Sequence, residues 1–165
     1  MNYLLDSNTL IEAKNRYYQM LVCPGYWTWI VRNQEAGELA SVNSVAEELG
    51  RGNDELAEWA EVNRLLFLPE SDEATQTSFA EVAQHIASQT DRMRPGAMEE
   101  FLGGADPWLI AKARVTGAVV VTHEQFHPEA RRKFLIPNVC RHFGVTWMDT
   151  FQLLGRLNAR FVVEG

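Results

Sequence analysis

Apolar and polar residues follow two kinds of pattern along this chain, and each pattern predicts a different element. Short apolar runs bounded by Gly or polar residues indicate strands, and "AVVVT" (residues 118–122) is the strongest of these. Longer segments with apolar residues three and four positions apart indicate helices. We expect strands in "NYLL", in "AVVVT" and at the starts of segments 38–52, 134–144 and 145–157. We expect helices within residues 7–18, 24–37, 38–52, 53–67, 71–89, 105–117, 134–144 and 145–157.

Strands and helices alternate without tandem hairpins, which is typical of an α/β domain with a parallel sheet. The 165 residues suit a single domain, and 46% hydrophobic residues are enough for a folded core. No apolar run approaches the roughly 20 residues that cross a bilayer, and the first residues do not resemble a signal peptide. The two cysteines, Cys23 and Cys140, lie far apart. We therefore expect reduced thiols, a cytoplasmic protein and no membrane partner.

The formal net charge of −7 counts against strong non-specific binding to nucleic acid. The charge is uneven, however, with 15 acids and 4 bases between residues 35 and 100, and 5 acids and 8 bases from residue 101 onward. Six of these eight bases lie from residue 131 onward, namely Arg131, Arg132, Lys133, Arg141, Arg156 and Arg160. They form either an ordinary solvated surface or a local strip for an anionic ligand.

Three acids are placed where an α/β sheet binds its ligands, which is outside the carboxyl ends of its strands. Asp6 directly follows the first predicted strand, Asp106 begins a predicted helix, and Glu124 lies just past "AVVVT". Each also has a simpler explanation. Asp6 has the position of a helix cap, Asp106 before Pro107 is typical of an N-cap followed by a first-turn proline, and Glu124 suits a polar loop.

A fourth acid comes from the segment "SVAEELG". Val45 and Leu49 are four residues apart and share one face of the predicted helix. On a wheel of about 3.6 residues per turn, Glu48 borders that buried face and Glu47 points away from it. Glu48 therefore joins the candidates, although by itself it is also typical of a surface acid.

Four acids gathered at one edge of a sheet would repel one another. Two unit charges about 4 Å apart cost roughly 4 kcal/mol at an effective dielectric constant near 20. Hard divalent cations with oxygen ligands, Mg²⁺ or Mn²⁺, are the natural partners for such a cluster. Ions of this kind activate water for phosphodiester hydrolysis.

Three blocks of the sequence, in order, are similar to the motifs of one family. "YLLDSN" is an apolar strand ending in Asp, "SVAEELG" places an acid before Leu, and "ADPWLIAKARVTGAVVVTHE" runs from Asp to Thr-x-acid over 18 residues. Together they resemble the PIN domain, the metal-dependent ribonuclease fold of VapC-type toxins. The endings "VVTHE" and "IPNVC" resemble an uncharacterised PIN subgroup more than the common VapC proteins.

The resemblance implies one PIN-like domain over residues 1–165, with a three-layer α/β/α fold and a central, mostly parallel sheet. It implies an endoribonuclease, the toxin of a toxin–antitoxin pair, that cleaves RNA with water activated by Mg²⁺ or Mn²⁺. Its partners would be an RNA substrate, a cognate antitoxin and a second copy in a homodimer. The implied ligands of the ion are Asp6, Glu48 and Asp106. The residues implied to orient carboxylates, water or phosphate are Ser7, Asn8 and Thr122.

The chain departs from the family pattern at the fourth acid. Glu124 stands where many relatives carry Asp, and its extra methylene moves the carboxylate by about 1.5 Å. We therefore expect Glu124 to serve a second ion weakly or only through water.

Two other interpretations stay open. His123, His127, Cys140 and His142 have a spacing that superficially matches zinc ligands, although Cys140 also suits a buried apolar position. Alternatively, the chain is a catalytically weak PIN-like domain that acts mainly as a protein-binding partner. In that case "GYWTWI", with Trp27 and Trp29, is an interface patch rather than part of the core.

Overall fold

The computed structural model describes residues 2–164 as a three-layer α/β/α domain, which confirms the predicted fold class. Its five strands pair in the order β3-β2-β1-β4-β5, and every pairing is parallel. The strands are β1 (Tyr3–Leu5), β2 (Leu39–Val42), β3 (Phe67–Leu68), β4 (Val119–Val121) and β5 (Trp147–Met148).

The helices lie between the strands, as the alternating pattern predicts. They are α1 (Ser7–Glu12), α2 (Pro24–Glu35), α3 (Asn43–Arg51), α4 (Glu55–Val62), α5 (Glu73–Ser88), α6 (Ala97–Leu102), α7 (Asp106–Thr116), α8 (Ile136–Phe143) and α9 (Thr150–Arg156). A π-helix (Ala13–Tyr17) continues α1, and 3₁₀ turns occupy Arg64–Leu66 and Thr90–Arg92. Helix α3 packs against α1 and α4, whereas α7 packs against α5, α6 and α8.

Two details of the strand prediction are wrong. The apolar run "FLI" (residues 134–136) is not a strand, because Ile136 already begins α8 and Leu135 is the N-cap residue of that helix. Conversely, the two-residue strand β3 lies in a segment for which only a helix was predicted. Helix α4 ends at Val62, and a 3₁₀ turn then leads into Phe67.

The core lies on both faces of the central strands. Leu4 pairs in register with Ala40 and Val120, and Leu4 and Val120 are fully buried. Trp27 is only 4% exposed and its indole N–H donates to the Tyr18 carbonyl at 2.7 Å, and Trp29 is partly buried against the core, so both tryptophans of "GYWTWI" take part in core packing. Across residues 2–164, no helix combines the length and apolar character needed to cross a bilayer.

The strand order fixes where a ligand would bind. Consecutive strands run from β1 to β3 on one side of the sheet, and the chain then crosses to β4 and β5 on the other side. The order therefore reverses between β1 and β4. In open parallel sheets, the crevice outside the carboxyl ends of the strands at this switch point is the usual binding site.

Candidate functional site

Asp6 leaves β1 at this switch point and is 1% exposed. Its Oδ1 accepts a hydrogen bond from the Asn8 N–H at 3.3 Å, so the predicted capping role at the start of α1 is confirmed. Its Oδ2 accepts from the Thr122 hydroxyl, which follows β4, at 2.9 Å. The Asp6 N–H also donates to the Val121 carbonyl at 3.0 Å. Asp6 is thus held by both strands that flank the switch point.

Glu48 reaches the same place from α3. Its neighbours Val45 and Leu49 are buried, Glu47 is exposed and Glu48 is half-buried, as the helical wheel predicts. Its Oε2 accepts from the Ser7 hydroxyl at 2.6 Å. Its Oε1 accepts from the backbone N–H of Ala105 at 2.8 Å. Glu48 therefore links α1, α3 and the turn before α7.

Gly104 makes room for the Glu48 carboxylate. A Cβ atom at position 104 would lie 3.3 Å from Glu48 Oε1, which is tighter than ordinary packing. Neither this contact nor the role of the Ala105 amide was predicted from the sequence. The only available signal was the pair of glycines at residues 103 and 104, which by itself indicates no more than a turn.

Asp106 is the first residue of α7, and its carboxylate does not cap the helix. The N-cap residue is Ala105, so the N-cap interpretation of Asp106 is wrong. Within residues 2–164, the Asp106 carboxylate has no hydrogen-bond partner among the protein groups. It is half-buried and borders the same cavity as Ser7 and Glu48.

Glu124 approaches the same edge from the loop after β4. Its N–H donates to the Thr122 hydroxyl at 3.1 Å. Its Oε1 accepts from the Ile136 N–H at 3.2 Å and so satisfies a free amide at the start of α8. Glu124 therefore does more than occupy a polar loop, because its side chain reaches the N-terminus of α8.

The charges of these four acids, hereafter the acid cluster (Asp6, Glu48, Asp106 and Glu124), influence one another. Burial, and then the charge of Glu124, raise the pKa of Asp6 to about 6, although the hydrogen bonds from Thr122 and Asn8 act in the opposite direction. Burial, followed by the charges of Asp6, Glu124 and Glu48, raises the pKa of Asp106 to about 8. The structure therefore brings the four predicted acids into electrostatic contact.

Two cavities border the acid cluster. The smaller cavity, about 220 Å³, is lined by Glu48 and Asp106 together with Ser7, Asn8 and Lys133. The larger cavity, about 780 Å³, has Asn8, Thr122 and Glu124 on its wall. Asn8 is exposed and lines both, so the two cavities are adjacent.

Only part of the predicted basic strip reaches this site. Lys133 lines the smaller cavity and partly counteracts the rise in the pKa of Asp106. Arg141 instead lies over the Phe126 ring, with its guanidinium carbon 4.6 Å from the ring centroid. A cation at the mouth of an acid-lined cavity is suited to contact an anionic group that approaches the acids.

The acid cluster has the oxygen donors and the negative charge that suit a hard divalent ion, but its carboxylates do not converge on one ion position. Between residues 2 and 164, no three or more His, Cys, Asp or Glu side chains have the mutual arrangement of a metal site. Carboxylate oxygens are the ligands that Mg²⁺ and Mn²⁺ prefer. The pKa values of Asp6 and Asp106 are raised first by burial and then by neighbouring carboxylates, and a cation would offset the second effect. Glu48 and Glu124 each accept a backbone N–H through one oxygen, from Ala105 and Ile136 respectively, and a carboxylate has further lone pairs for an ion.

The structure does not support the zinc hypothesis. Cys140 is fully buried in the core, and the His142 ring stacks on His85 with 3.6 Å between centroids. His123 Nε2 lies 3.1 Å from the Thr150 hydroxyl. These groups already have protein partners, and they form no metal-ligand group in the described part of the chain.

These features define an α/β/α domain with four acids at the switch point of a parallel sheet. The chain belongs to the family described as "Domain of unknown function (DUF4411)", whose model matches residues 3–161. A search of curated proteins gave no match.

Proposed function

We propose that the chain is a metal-dependent endoribonuclease of the PIN type. The observation that carries the proposal is the placement of two carboxyl groups with raised pKa values, Asp6 just after the carboxyl end of β1 and Asp106 at the first residue of α7, with Glu48 on the same cavity as Asp106. Perturbed carboxyl groups in a crevice are typical of sites that bind cations or move protons. The resemblance in motif order supports the same assignment.

Asp6, Glu48 and Asp106 would hold a Mg²⁺ or Mn²⁺ ion, with Glu124 at the edge. Such an ion supplies Lewis acidity, which favours ionisation of water and offsets charge on a phosphate. In the hydrolysis, the water oxygen bonds to phosphorus, the bond to the 3′ oxygen breaks, and a proton goes to that oxygen. The products carry 5′-phosphate and 3′-hydroxyl ends.

The chain's own residues have separate tasks in this proposal. Thr122 and the Asn8 amide fix the orientation of the Asp6 carboxylate. Ser7 fixes Glu48. Lys133, at the mouth of the smaller cavity, would contact a phosphate oxygen beside Asp106.

The test uses single-residue variants incubated with total RNA and Mg²⁺ or Mn²⁺. Asp6→Asn, Asp106→Asn and Glu48→Gln should each reduce cleavage by at least roughly 100-fold, because each removes a charge that holds the ion. Glu47→Gln is the matched control: it is the neighbouring acid on α3, it is exposed, and it should cleave like the wild type. Cleavage that persists unchanged in both Asn variants would contradict the mechanism.

The toxin assignment, the cognate antitoxin and the homodimer rest on the resemblance alone. Expression of the chain in bacteria should arrest growth, and co-expression of a protein encoded beside it should restore growth. A chain that causes no arrest and does not cleave RNA with either ion would favour the alternative, a PIN-like domain that acts mainly as a binding partner.

A further inference from the structure

The larger cavity beside the acid cluster has an aromatic wall that the proposed chemistry does not require. Tyr17, His123 and Phe151 come from three separate parts of the chain and meet there. The ring centroids of Tyr17 and Phe151 are 5.2 Å apart in an edge-to-face arrangement. His123 lies 6.1 Å from Tyr17 and 5.8 Å from Phe151.

These rings differ from the aromatic residues of the core. Tyr17 is 51% exposed and Phe151 is 48% exposed, whereas Tyr26 in the core is 2% exposed. Tyr17 is the last residue of the π-helix that continues α1, a kind of helix that frequently occurs at functional sites. Two large rings thus keep about half of their surface in contact with solvent at the wall of a cavity.

The aromatic wall is continuous with the acid cluster. His123 lies between Thr122 and Glu124 in sequence, and the cavity includes all three residues. Asn8 lines this cavity and also the smaller one, which is lined by Asp106. The rings therefore lie in the cavity next to the one at which the proposed function places the phosphate.

The charge of the cavity favours a base over a phosphate. Its described lining contains the acids Glu12, Glu124 and Asp149 and neither Lys nor Arg. Carboxylates repel phosphates but accept hydrogen bonds from the amino and imino groups of base edges. Lys133, by contrast, lies on the smaller cavity. The two cavities are thus suited to different parts of a nucleotide.

We propose that the larger cavity binds an unpaired nucleobase next to the bond that is cleaved, through stacking on Tyr17, His123 or Phe151. The inference rests on the proposed function and adds a base-binding subsite to it. In a duplex, each base is stacked and paired and cannot enter such a cavity, whereas stacking on protein rings is typical of single-strand recognition.

The test measures binding of a fluorescent single-stranded RNA by anisotropy, in an Asp106→Asn background so that the RNA stays intact. Tyr17→Ala and Phe151→Ala should each weaken RNA binding roughly ten-fold. Tyr17→Phe and Phe151→Tyr keep an aromatic ring and should bind RNA as tightly as the Asp106→Asn parent. Phe79→Ala is the matched control, because Phe79 stacks on Trp108 outside this cavity. In otherwise wild-type protein, the two Ala variants should raise KM for single-stranded RNA and leave kcat nearly unchanged.

The outcomes separate this inference from the proposed function. Two results would overturn the stacking site and leave the nuclease. In the first, the wild type cleaves RNA and the two Ala variants bind and cleave as the wild type does. In the second, single-stranded and duplex RNA are cleaved equally. Ring-dependent binding without cleavage would support the stacking site and overturn the nuclease. Absence of both binding and cleavage would overturn both.

Discussion

At the scale of single residues, Asp6 and Asp106 show how hydrogen bonding separates the pKa values of two acids at one site. Both carboxyl groups are shielded from solvent and both face other carboxylates. Asp6 accepts from Thr122 and from the Asn8 amide, which stabilise its charged form, and its pKa is about 6. Asp106 has no such donor within residues 2–164, and its pKa is about 8. Without a cation, Asp106 is therefore the group that keeps its proton at neutral pH.

These pKa values predict how stability depends on pH. A carboxyl group whose pKa is higher in the folded than in the unfolded state binds its proton more tightly when folded, so stability falls as that proton is lost. In metal-free buffer, the free energy of unfolding should fall as the pH rises from about 4 through about 8. Asp106→Asn cannot lose this proton, so its free energy of unfolding should fall less than that of the wild type over the same pH interval.

Thermal unfolding of both proteins in the presence of a chelator, at several pH values, measures this effect. The matched control is Glu47→Gln, which removes an exposed acid from the neighbouring helix and should follow the wild-type curve. A wild-type midpoint that rises throughout this pH interval would contradict the assigned environment of Asp106.

At the scale of elements, helix α7 connects the acid cluster with the interior of the domain. It begins at Asp106, beside the Ala105 amide that binds Glu48, and ends at Gly117. Gly117 has a positive φ of 74°, which lets the chain turn from α7 into β4. Glycines near the two ends of this helix therefore serve different purposes, and substitution should separate them.

Gly104→Ala and Gly117→Ala should change different properties, the first the affinity for Mn²⁺ and the second the stability of the fold. The first places a Cβ 3.3 Å from Glu48 Oε1, so it should weaken Mn²⁺ binding about ten-fold or more because it displaces a ligand. The second meets no atom within 4 Å but forces Ala into a left-handed conformation, which should cost about 1 kcal/mol of stability and leave Mn²⁺ affinity unchanged. Calorimetric titration and chemical denaturation of both variants distinguish the two effects.

The middle of α7 carries a buried ion pair that ties this helix to α5. Lys112 is 6% exposed, and its Nζ lies 2.9 Å from Asp72 Oδ1, at the N-cap of α5. The hydrogen bond from Lys112, with those from Thr75, holds the pKa of Asp72 well below its usual range. The partners are not equivalent, because Lys112 is buried and Asp72 is solvated.

Removal of either partner should therefore have a different cost. Asp72→Ser keeps a capping hydroxyl but leaves the Lys112 ammonium buried without its counter-charge, so it should lower the thermal midpoint more than Lys112→Met does. Lys112→Met leaves Asp72 exposed to water and still bonded to Thr75. Equal losses in the two variants would argue against this asymmetry.

At the scale of the whole molecule, the acid cluster adds local repulsion to a chain whose net charge is already −7. A divalent ion that binds only the folded state raises the unfolding free energy by about 2.7 kcal/mol at 100 times its Kd. We therefore predict that Mn²⁺ or Mg²⁺ raises the thermal midpoint of the wild type in a concentration-dependent way. K⁺ at matched ionic strength is the control for general screening.

The same titration with Asp106→Asn should show a much smaller rise, because an amide cannot lose a proton to become an anionic ligand of the ion. Lys112→Met should keep the full response, since Lys112 is bonded to Asp72 outside the acid cluster. A midpoint that is insensitive to both ions at millimolar concentration would show that the acids do not bind a divalent cation.

The sequence alone determined the features that depend on local order. Apolar periodicity gave the alternation of strands and helices, the buried face of α3 that separates Glu48 from Glu47, and the end of α7 at a glycine. It also placed Asp6 and Glu124 at strand ends, because a residue that follows a strand in sequence also follows it in space. Short or ambiguous runs failed, as at β3 and "FLI", since two or three apolar residues fit several backbone conformations.

Only the tertiary structure decided which groups meet. Glu48 bonds to the Ala105 amide, 57 residues away in the chain, and Thr122 bonds to Asp6, 116 residues away. Asp106 does not cap α7 as expected, whereas Glu124 accepts an N–H at the start of α8. Both outcomes depend on tertiary packing. Hydrogen bonds and charge effects act over a few ångströms, so they depend on how strands and helices cross and not on their order along the chain.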